Sequence, residues 1–125
     1  MKIPTNILII EDDRITREIL SAYLSGYEHV VSVKGGKDGI KECKSDSYDL
    51  ILMDIKSKNG IDGVQTLKEI RKIDKYRHIP ILAVTGCAMP GDKEHILQEG
   101  FNGYLAKPFI KKTFMDFVKK YLPKS

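Results

Sequence analysis

Short apolar runs alternate along the chain with longer segments in which apolar residues recur every three or four positions. Each run is too short to form a stable helix by itself, and polar or turn-forming residues bound it. These runs therefore predict strands that are buried on both faces. The predicted strands are residues 6–10, 28–33, 50–54, 80–84 and 103–106.

The longer segments have the spacing of amphipathic helices, which are predicted over about residues 14–24, 37–45, 64–73, 91–98 and 109–122. The apolar positions of the first helix are Ile15, Ile19, Ala22 and Tyr23. Those of the last helix are Phe114, Phe117, Val118 and Tyr121. Residues 56–63 are rich in turn formers and predict an irregular loop.

Strands that alternate with helices predict one parallel sheet covered by helices on both faces. Because later strands can be added on either side of the first, the first strand is expected near the centre. The predicted fold class is therefore α/β, a five-stranded parallel sheet of the flavodoxin-like (βα)5 doubly wound type with strand order 2-1-3-4-5. A chain of 125 residues has the length of one domain, so residues 1–125 are predicted to form a single domain.

Composition and charge argue against several classes of function. The net charge is +4, but the lysines are spread along the chain and do not form the basic stripe typical of nucleic-acid binding. No apolar run approaches the length of a membrane span, and the amino terminus lacks the apolar core of a signal peptide. We therefore predict a cytoplasmic protein with no membrane partner and no direct nucleic-acid partner. Cys43 and Cys87 match no metal-ligand spacing, so buried free thiols are expected.

All but one of the predicted strands end in chemically active side chains, which are Glu11 and Asp12, Asp54, Thr85, and Lys107. The carboxyl ends of parallel strands meet at one edge of a sheet, where α/β proteins bind ligands, so these side chains should converge. Carboxylates crowded together repel one another unless a cation neutralises them, and hard oxygen ligands suit Mg²⁺. The sequence therefore predicts a magnesium site around Asp54.

The same residues suit phosphoryl transfer to Asp54. A carboxylate can attack phosphorus in line, while the metal and Lys107 neutralise charge and Thr85 donates a hydrogen bond to a phosphoryl oxygen. We interpret Asp54 as a nucleophile that is reversibly phosphorylated. Taken alone, each residue also has a simpler interpretation, such as a turn-starting acid, a strand-end threonine or a solvated lysine. Asp13 is expected to cap the first helix.

Four stretches carry a resemblance to a known family: Ile-Leu-Ile-Ile-Glu-Asp-Asp at 7–13, Asp-Leu-Ile-Leu-Met-Asp-Ile at 49–55, Pro-Ile-Leu-Ala-Val-Thr at 80–85 and Tyr-Leu-Ala-Lys-Pro-Phe at 104–109. Over nearly its whole length, the chain resembles the receiver domain of the two-component response regulators. The resemblance implies a phosphorylation-dependent switch that catalyses its own phosphotransfer and dephosphorylation. It also implies a histidine kinase or histidine phosphotransfer protein as phosphodonor, and a downstream output protein or domain.

The resemblance also implies roles for particular residues. Asp54 would be the phosphoacceptor and, together with Asp12, a direct ligand of Mg²⁺, while Glu11 would act through water. The backbone carbonyl of Lys56 would be a further metal ligand. The family's hydroxyl residue and lysine fall on Thr85 and Lys107, and its switch aromatic falls on Tyr104. The resemblance also favours a cis peptide bond between Lys107 and Pro108.

The chain departs from the family pattern beside the site, and other functions compete with phosphorylation. Lys58 stands where the family commonly has proline, and Asp62-Gly63 comes one residue late, so this loop is expected to be reshaped. A flavin site would need a hydroxyl- and amide-rich loop where this chain has Glu-Asp-Asp. A phosphatase would need a second acid where this chain has Lys56. The strongest alternative is a receiver-like interaction module that is never phosphorylated.

Overall fold

The computed structural model describes residues 1–55, 60–86 and 90–122 of the chain. The elements in chain order are β1 (Ile3–Ile10), α1 (Arg14–Tyr23), β2 (Tyr27–Val33), α2 (Gly36–Ser45), β3 (Leu50–Asp54), α3 (Gly60–Arg71), a short 3-10 helix (Asp74–Tyr76), β4 (Ile81–Thr85), α4 (Asp92–Gln98), β5 (Gly103–Ala106) and α5 (Lys111–Lys119). Every predicted element is present, with ends that differ from the prediction by a few residues. Within the described residues, no helix is both long enough and apolar enough to cross a membrane.

The described strands form one parallel sheet in the order β2-β1-β3-β4-β5, which confirms the predicted topology. In the register of this sheet, Ile10 lies between Val33 and Met53, and Thr85 lies beside Ala106. The last residues of all the strands therefore reach the same edge. We call this the carboxyl edge, and the opposite one the amino edge.

The core lies in two layers, one on each face of the sheet. Because successive strand residues point to opposite faces, Leu8 and Ile51 pack towards α2, α3 and α4, while Ile7 and Leu50 pack towards α1 and α5. The central strands are therefore buried on both sides, which explains why their sequences are continuously apolar.

The first helix presents a different face to the core from the one that its spacing suggests. Leu20 and Leu24 are buried, whereas Ile15 and Ile19 are 60% and 44% exposed. A helix can bury only the stripe that faces the sheet, and here the leucine stripe occupies that position. The helix therefore carries a second apolar stripe that faces outward.

Helix α3 begins earlier than predicted, because Gly60 to Gly63 belong to the helix and not to a loop. Glycines are tolerated in a first turn, where the backbone N–H groups have no partner within the helix. At Gly63 a Cβ atom would lie only 3.0 Å from Cγ1 of Ile55, so the glycine allows α3 to approach the end of β3 closely. The helix also ends before Ile73, which the apolar spacing had included.

The amino edge is closed by a network around Arg71, the last residue of α3. Its guanidinium group donates to the carbonyls of Tyr76 (2.7 Å) and Ile79 (2.6 Å) and to Oδ1 of Asn102 (2.7 Å). The same Oδ1 accepts a hydrogen bond from the backbone N–H of Ile81, the first residue of β4 (2.9 Å). Arg71 thus joins α3 to the beginnings of β4 and β5.

Tyr76 is fully buried at the same edge and joins the loop before β3 to the segment before β4. Its hydroxyl donates to the carbonyl of Asp46 (2.7 Å) and accepts from the N–H of Tyr48 (3.2 Å). The thiol of Cys43 is a hydrogen-bonding neighbour of this hydroxyl, and burial raises the pKa of Cys43 to about 11. Cys43 is thus a free, buried thiol as predicted, while Cys87 lies outside the described residues.

Candidate functional site

Three carboxylates meet at the carboxyl edge. Glu11 and Asp12 follow β1, and Asp54 is the last residue of β3. One carboxylate oxygen from each of them lies within 4.8 Å of the others. This convergence depends on the sheet: the N–H of Glu11 continues the ladder by donating to the carbonyl of Val33 at 3.0 Å. The acidic cluster expected from the strand ends therefore exists.

Lys107 follows β5 and reaches across to the acidic cluster. Its Nζ atom lies 2.6 Å from Oε1 of Glu11 and 3.4 Å from Oδ1 of Asp54. Burial alone would lower the pKa of Lys107, but the hydrogen bond to Glu11 and the charge of Asp54 outweigh it and raise the pKa above its usual value. The lysine is therefore a permanent cation beside Asp54. The peptide bond from Lys107 to Pro108 is cis, as expected.

Glu11 is buried, and protein donors engage both of its carboxylate oxygens. Oε1 accepts from Lys107, and Oε2 accepts from the backbone N–H of Asp13 at 3.1 Å. Burial raises the pKa of Glu11, and these two hydrogen bonds oppose the rise. Glu11 therefore supplies charge to the site while its oxygens are held in place.

The acidic loop after β1 is fixed at the start of α1. Asp13 caps this helix, as expected, by accepting from the backbone N–H of Thr16 at 2.9 Å. Arg17 donates to the carbonyls of Glu11 (2.8 Å) and Asp12 (3.0 Å). We did not predict this role of Arg17 from the sequence, because an arginine in the first turn of a helix is expected to be exposed to solvent. Asp12 remains exposed at the mouth of the site.

Thr85 is buried at the end of β4, and its hydroxyl donates to the backbone carbonyl of Ile55. The carbonyl of Thr85 accepts from the N–H of Lys107 at 2.7 Å. Thr85 therefore connects Ile55, which follows Asp54, to Lys107, which follows β5. Tyr104 lies on β5 opposite Ala83, where it is half-buried against the core on the α3 and α4 side of the sheet.

A cavity of about 150 Å³ opens beside the carboxylates. Its lining includes Asp12 and Asp54. It also includes Lys34, Gly36 and Thr66, for which no role was predicted from the sequence. The clustered carboxylate oxygens are the hard donors that Mg²⁺ prefers, and an open cavity leaves room for water and phosphate oxygens. The described residues therefore fit a magnesium ion. Lys56, whose carbonyl was an expected ligand, lies outside the described residues, as does Lys58.

The fold and the site agree with the comparisons to known proteins. The family model described as "Response regulator receiver domain" matches residues 7–119. The chain belongs to the receiver domain family of the response regulators, which is a family of phosphorylation-type two-component signalling.

Individual relatives support the same assignment. The chain is 35% identical over 123 residues to the polar-differentiation response regulator DivK of Brucella anthropi, covering 95% of this chain and 97% of the relative. It is 34% identical to a receiver domain of a sensor histidine kinase from Pseudomonas aeruginosa PAO1, with a TM-score of 0.81 over 94% of this chain and 97% of that one. That structure has a magnesium ion coordinated in its active site cleft.

The similarity also extends to a chemotaxis response regulator, CheY4 of Vibrio cholerae. Its structure has a TM-score of 0.85 to this chain at 25% sequence identity, and the match covers 95% of this chain and 99% of that one. The flavodoxin-like architecture predicted from the order of strands and helices is therefore that of known response regulators.

Proposed function

We propose that the protein is a signalling switch that accepts a phosphoryl group on Asp54 from a histidine kinase or a histidine phosphotransfer protein. The observation that carries this proposal is the position of Asp54, which lies within 4.8 Å of two other carboxylates and 3.4 Å from the ammonium group of Lys107. This arrangement combines a nucleophile, a place for a divalent cation and a fixed positive charge in one cleft.

In the proposed reaction, a carboxylate oxygen of Asp54 attacks the phosphorus atom of a phosphohistidine. The new oxygen–phosphorus bond forms as the phosphorus–nitrogen bond breaks, and the imidazole leaves and takes up a proton. Lys107 stabilises the charge on the phosphoryl oxygens, and the Thr85 hydroxyl turns to donate a hydrogen bond to one of them. When Mg²⁺ is bound by Asp12 and Asp54, it supplies further charge neutralisation at these oxygens.

An exposed apolar surface beside the site supports docking of a protein phosphodonor. Ile15 and Ile19 lie on the outward stripe of α1, and Ile110, just before α5, is 67% exposed. The two helices are neighbours, because the rings of Tyr23 and Phe114 lie 5.8 Å apart. Both helices begin at the carboxyl edge, so a partner on this surface can bring its histidine to Asp54.

Labelling with a small phosphodonor tests the proposal. Incubated with acetyl phosphate and Mg²⁺, the protein should gain one phosphoryl group that is stable in acid and labile in base, as an acyl phosphate is. Asp54→Asn should abolish the labelling. Asp49→Asn, which changes an exposed acid just before the same strand, should leave it intact. Labelling that survives in Asp54→Asn would place the nucleophile elsewhere, and an unlabelled wild type would favour an interaction module that is not phosphorylated.

The switch itself has a separate test at Tyr104. If Thr85 turns towards the phosphoryl group, space opens for Tyr104 to move towards the core, which couples the site to the surface formed by α4, β5 and α5. Beryllofluoride, which mimics an aspartyl phosphate, should therefore change the NMR signals of Tyr104 and of nearby surface residues. An unchanged Tyr104 signal at saturation would remove this residue from the mechanism.

A further inference from the structure

The end of β2 carries no chemistry that its sequence predicts, yet the sheet brings this strand end to the site as well. Val33 is the last residue of β2 and lies beside Ile10 in the register of β1. The next residue, Lys34, lines the same cavity as Asp12 and Asp54. Strand β2 forms one border of the sheet and β5, which precedes Lys107, forms the other. The two lysines therefore approach the carboxylates from opposite sides.

The loop that carries Lys34 is held against α3 by close contact. At Gly36 a Cβ atom would overlap Oγ1 of Thr66, so only glycine allows the loop to lie this near to the helix. Thr66 is itself buried and lines the cavity. This packing keeps the start of α2 beside the acidic cluster and keeps Lys34 at its mouth.

Lys34 is also available for a ligand. Its side chain is exposed, and it forms no ion pair with any residue that the structure describes, whereas Lys107 is engaged by Glu11 and Asp54. A lysine ammonium on a flexible stem can follow a charge that appears in the cavity. In the unphosphorylated protein, nothing among the described residues holds it elsewhere.

A count of the charges at the site indicates that a second lysine is needed only after Asp54 is phosphorylated. The three carboxylates are balanced once Lys107 and a divalent metal ion are both counted. A phosphoryl group on Asp54 adds about one further negative charge at neutral pH. Among the described residues that line the cavity, Lys34 is the lysine that can balance it.

We propose that Lys34 is a second phosphoryl-binding cation, which donates to the phosphoryl oxygens on Asp54 from the side opposite Lys107. This inference rests on the proposed function and adds to it a residue that discriminates between two states of the site. Lys34 favours the phosphorylated, metal-bound state and does not favour binding of the metal alone. It is a positioning residue for the phosphoryl group and takes no part in bond making.

The experiment compares wild type with Lys34→Ala and with Lys37→Ala as a matched control. Lys37 is an exposed lysine in the first turn of α2 that lines a neighbouring groove but not the cavity of the carboxylates. Dissociation constants for Mg²⁺ alone, and for beryllofluoride at saturating Mg²⁺, are measured by NMR titration. Lys34→Ala should weaken beryllofluoride binding by about five-fold or more, as expected for loss of a charge-assisted hydrogen bond. It should leave Mg²⁺ binding unchanged or slightly tighter, and Lys37→Ala should change neither constant appreciably.

Three results would overturn the role of Lys34. Beryllofluoride binding could be unchanged in Lys34→Ala, it could weaken equally in Lys37→Ala, or Mg²⁺ and beryllofluoride binding could weaken together, as general damage to the site predicts. Failure of the proposed function would look different. In that case wild type would not bind beryllofluoride, or Asp54→Asn would bind it as well as wild type.

Discussion

At the carboxyl edge of the sheet, the three carboxylates line an open cavity, and Lys107 is paired with two of them. At the amino edge, Arg71, Tyr76 and Asn102 fill the space between the loops. Each strand of the parallel sheet begins at the amino edge and ends at the carboxyl edge. At the amino edge, Arg71 and Tyr76 are each hydrogen-bonded to at least two backbone groups, and Asn102 accepts from the N–H of Ile81 and from Arg71. At the carboxyl edge, charges of like sign lie close together, and their full neutralisation requires ions or ligands from outside.

The difference shows that the amino edge stabilises the fold, whereas the carboxyl edge destabilises it. Buried hydrogen bonds that are all satisfied stabilise the native state, because breaking one leaves a buried group without a partner. Like charges held a few ångströms apart destabilise it, because unfolding separates them. We therefore expect substitutions at the two edges to have opposite signs, with binding affected only at the carboxyl edge.

The largest effect is expected at Tyr76. Tyr76→Ala should lower the free energy of unfolding by about 3–5 kcal/mol, as does truncation of other buried aromatic residues. Tyr76→Phe keeps the ring but leaves the carbonyl of Asp46 and the N–H of Tyr48 without this partner, and should cost about 1–3 kcal/mol. Urea unfolding at fixed pH measures both. Tyr23→Phe is the control. If it lowered the free energy of unfolding as much as Tyr76→Phe does, loss of the buried Tyr76 hydroxyl would not be the cause.

A smaller effect of opposite sign is expected at the carboxyl edge. In chelator, Asp54→Asn should raise the free energy of unfolding by about 1–2 kcal/mol, because relief of repulsion exceeds the attraction to Lys107 that is lost. Asp12→Ala should have an effect of the same sign, because it also removes one of the three crowded carboxylates. Adding Mg²⁺ at tens of millimolar (about 10–50 mM) should reverse the ranking, since it stabilises the intact site by mass action. Thermal melts in both conditions measure this. Mutants that melt below wild type in chelator would show that repulsion at this edge does not limit stability.

The smallest change in stability is expected at Cys43, which lies at the amino edge but has only a small side chain. Cys43→Ala should cost about 1 kcal/mol or less. In a Cys87→Ser background, alkylation of native Cys43 at pH 8 should be at least about a hundred-fold slower than that of an exposed thiol, because the thiolate form is suppressed. Alkylation at the rate of unfolded protein would mean that the amino edge is open in solution.

The features that depend on spacing along the chain, such as strands, helices and their order, could be predicted from the sequence. Apolar runs identified the strands, and the alternation of strands and helices gave their order, which in turn brought Glu11, Asp12 and Asp54 to one edge. The outward stripe of α1 was not recognised, because its periodicity fits two faces equally well. The networks of Arg71 and Tyr76 join residues that are distant in the chain and follow no spacing rule. Nothing in the sequence distinguishes Lys34 from an ordinary solvent-exposed lysine.

The hydrogen bond from Thr85 to the carbonyl of Ile55 has a consequence for how the protein behaves at rest. A threonine hydroxyl has one proton to donate, so it cannot serve the carbonyl and a phosphoryl oxygen at the same time. Turning towards the phosphoryl group leaves a buried carbonyl without this donor, which costs about 1–3 kcal/mol. In the proposed switch the proton can serve only one of the two acceptors at a time, and we expect its hydrogen bond to the carbonyl to oppose the signalling state until Asp54 is phosphorylated.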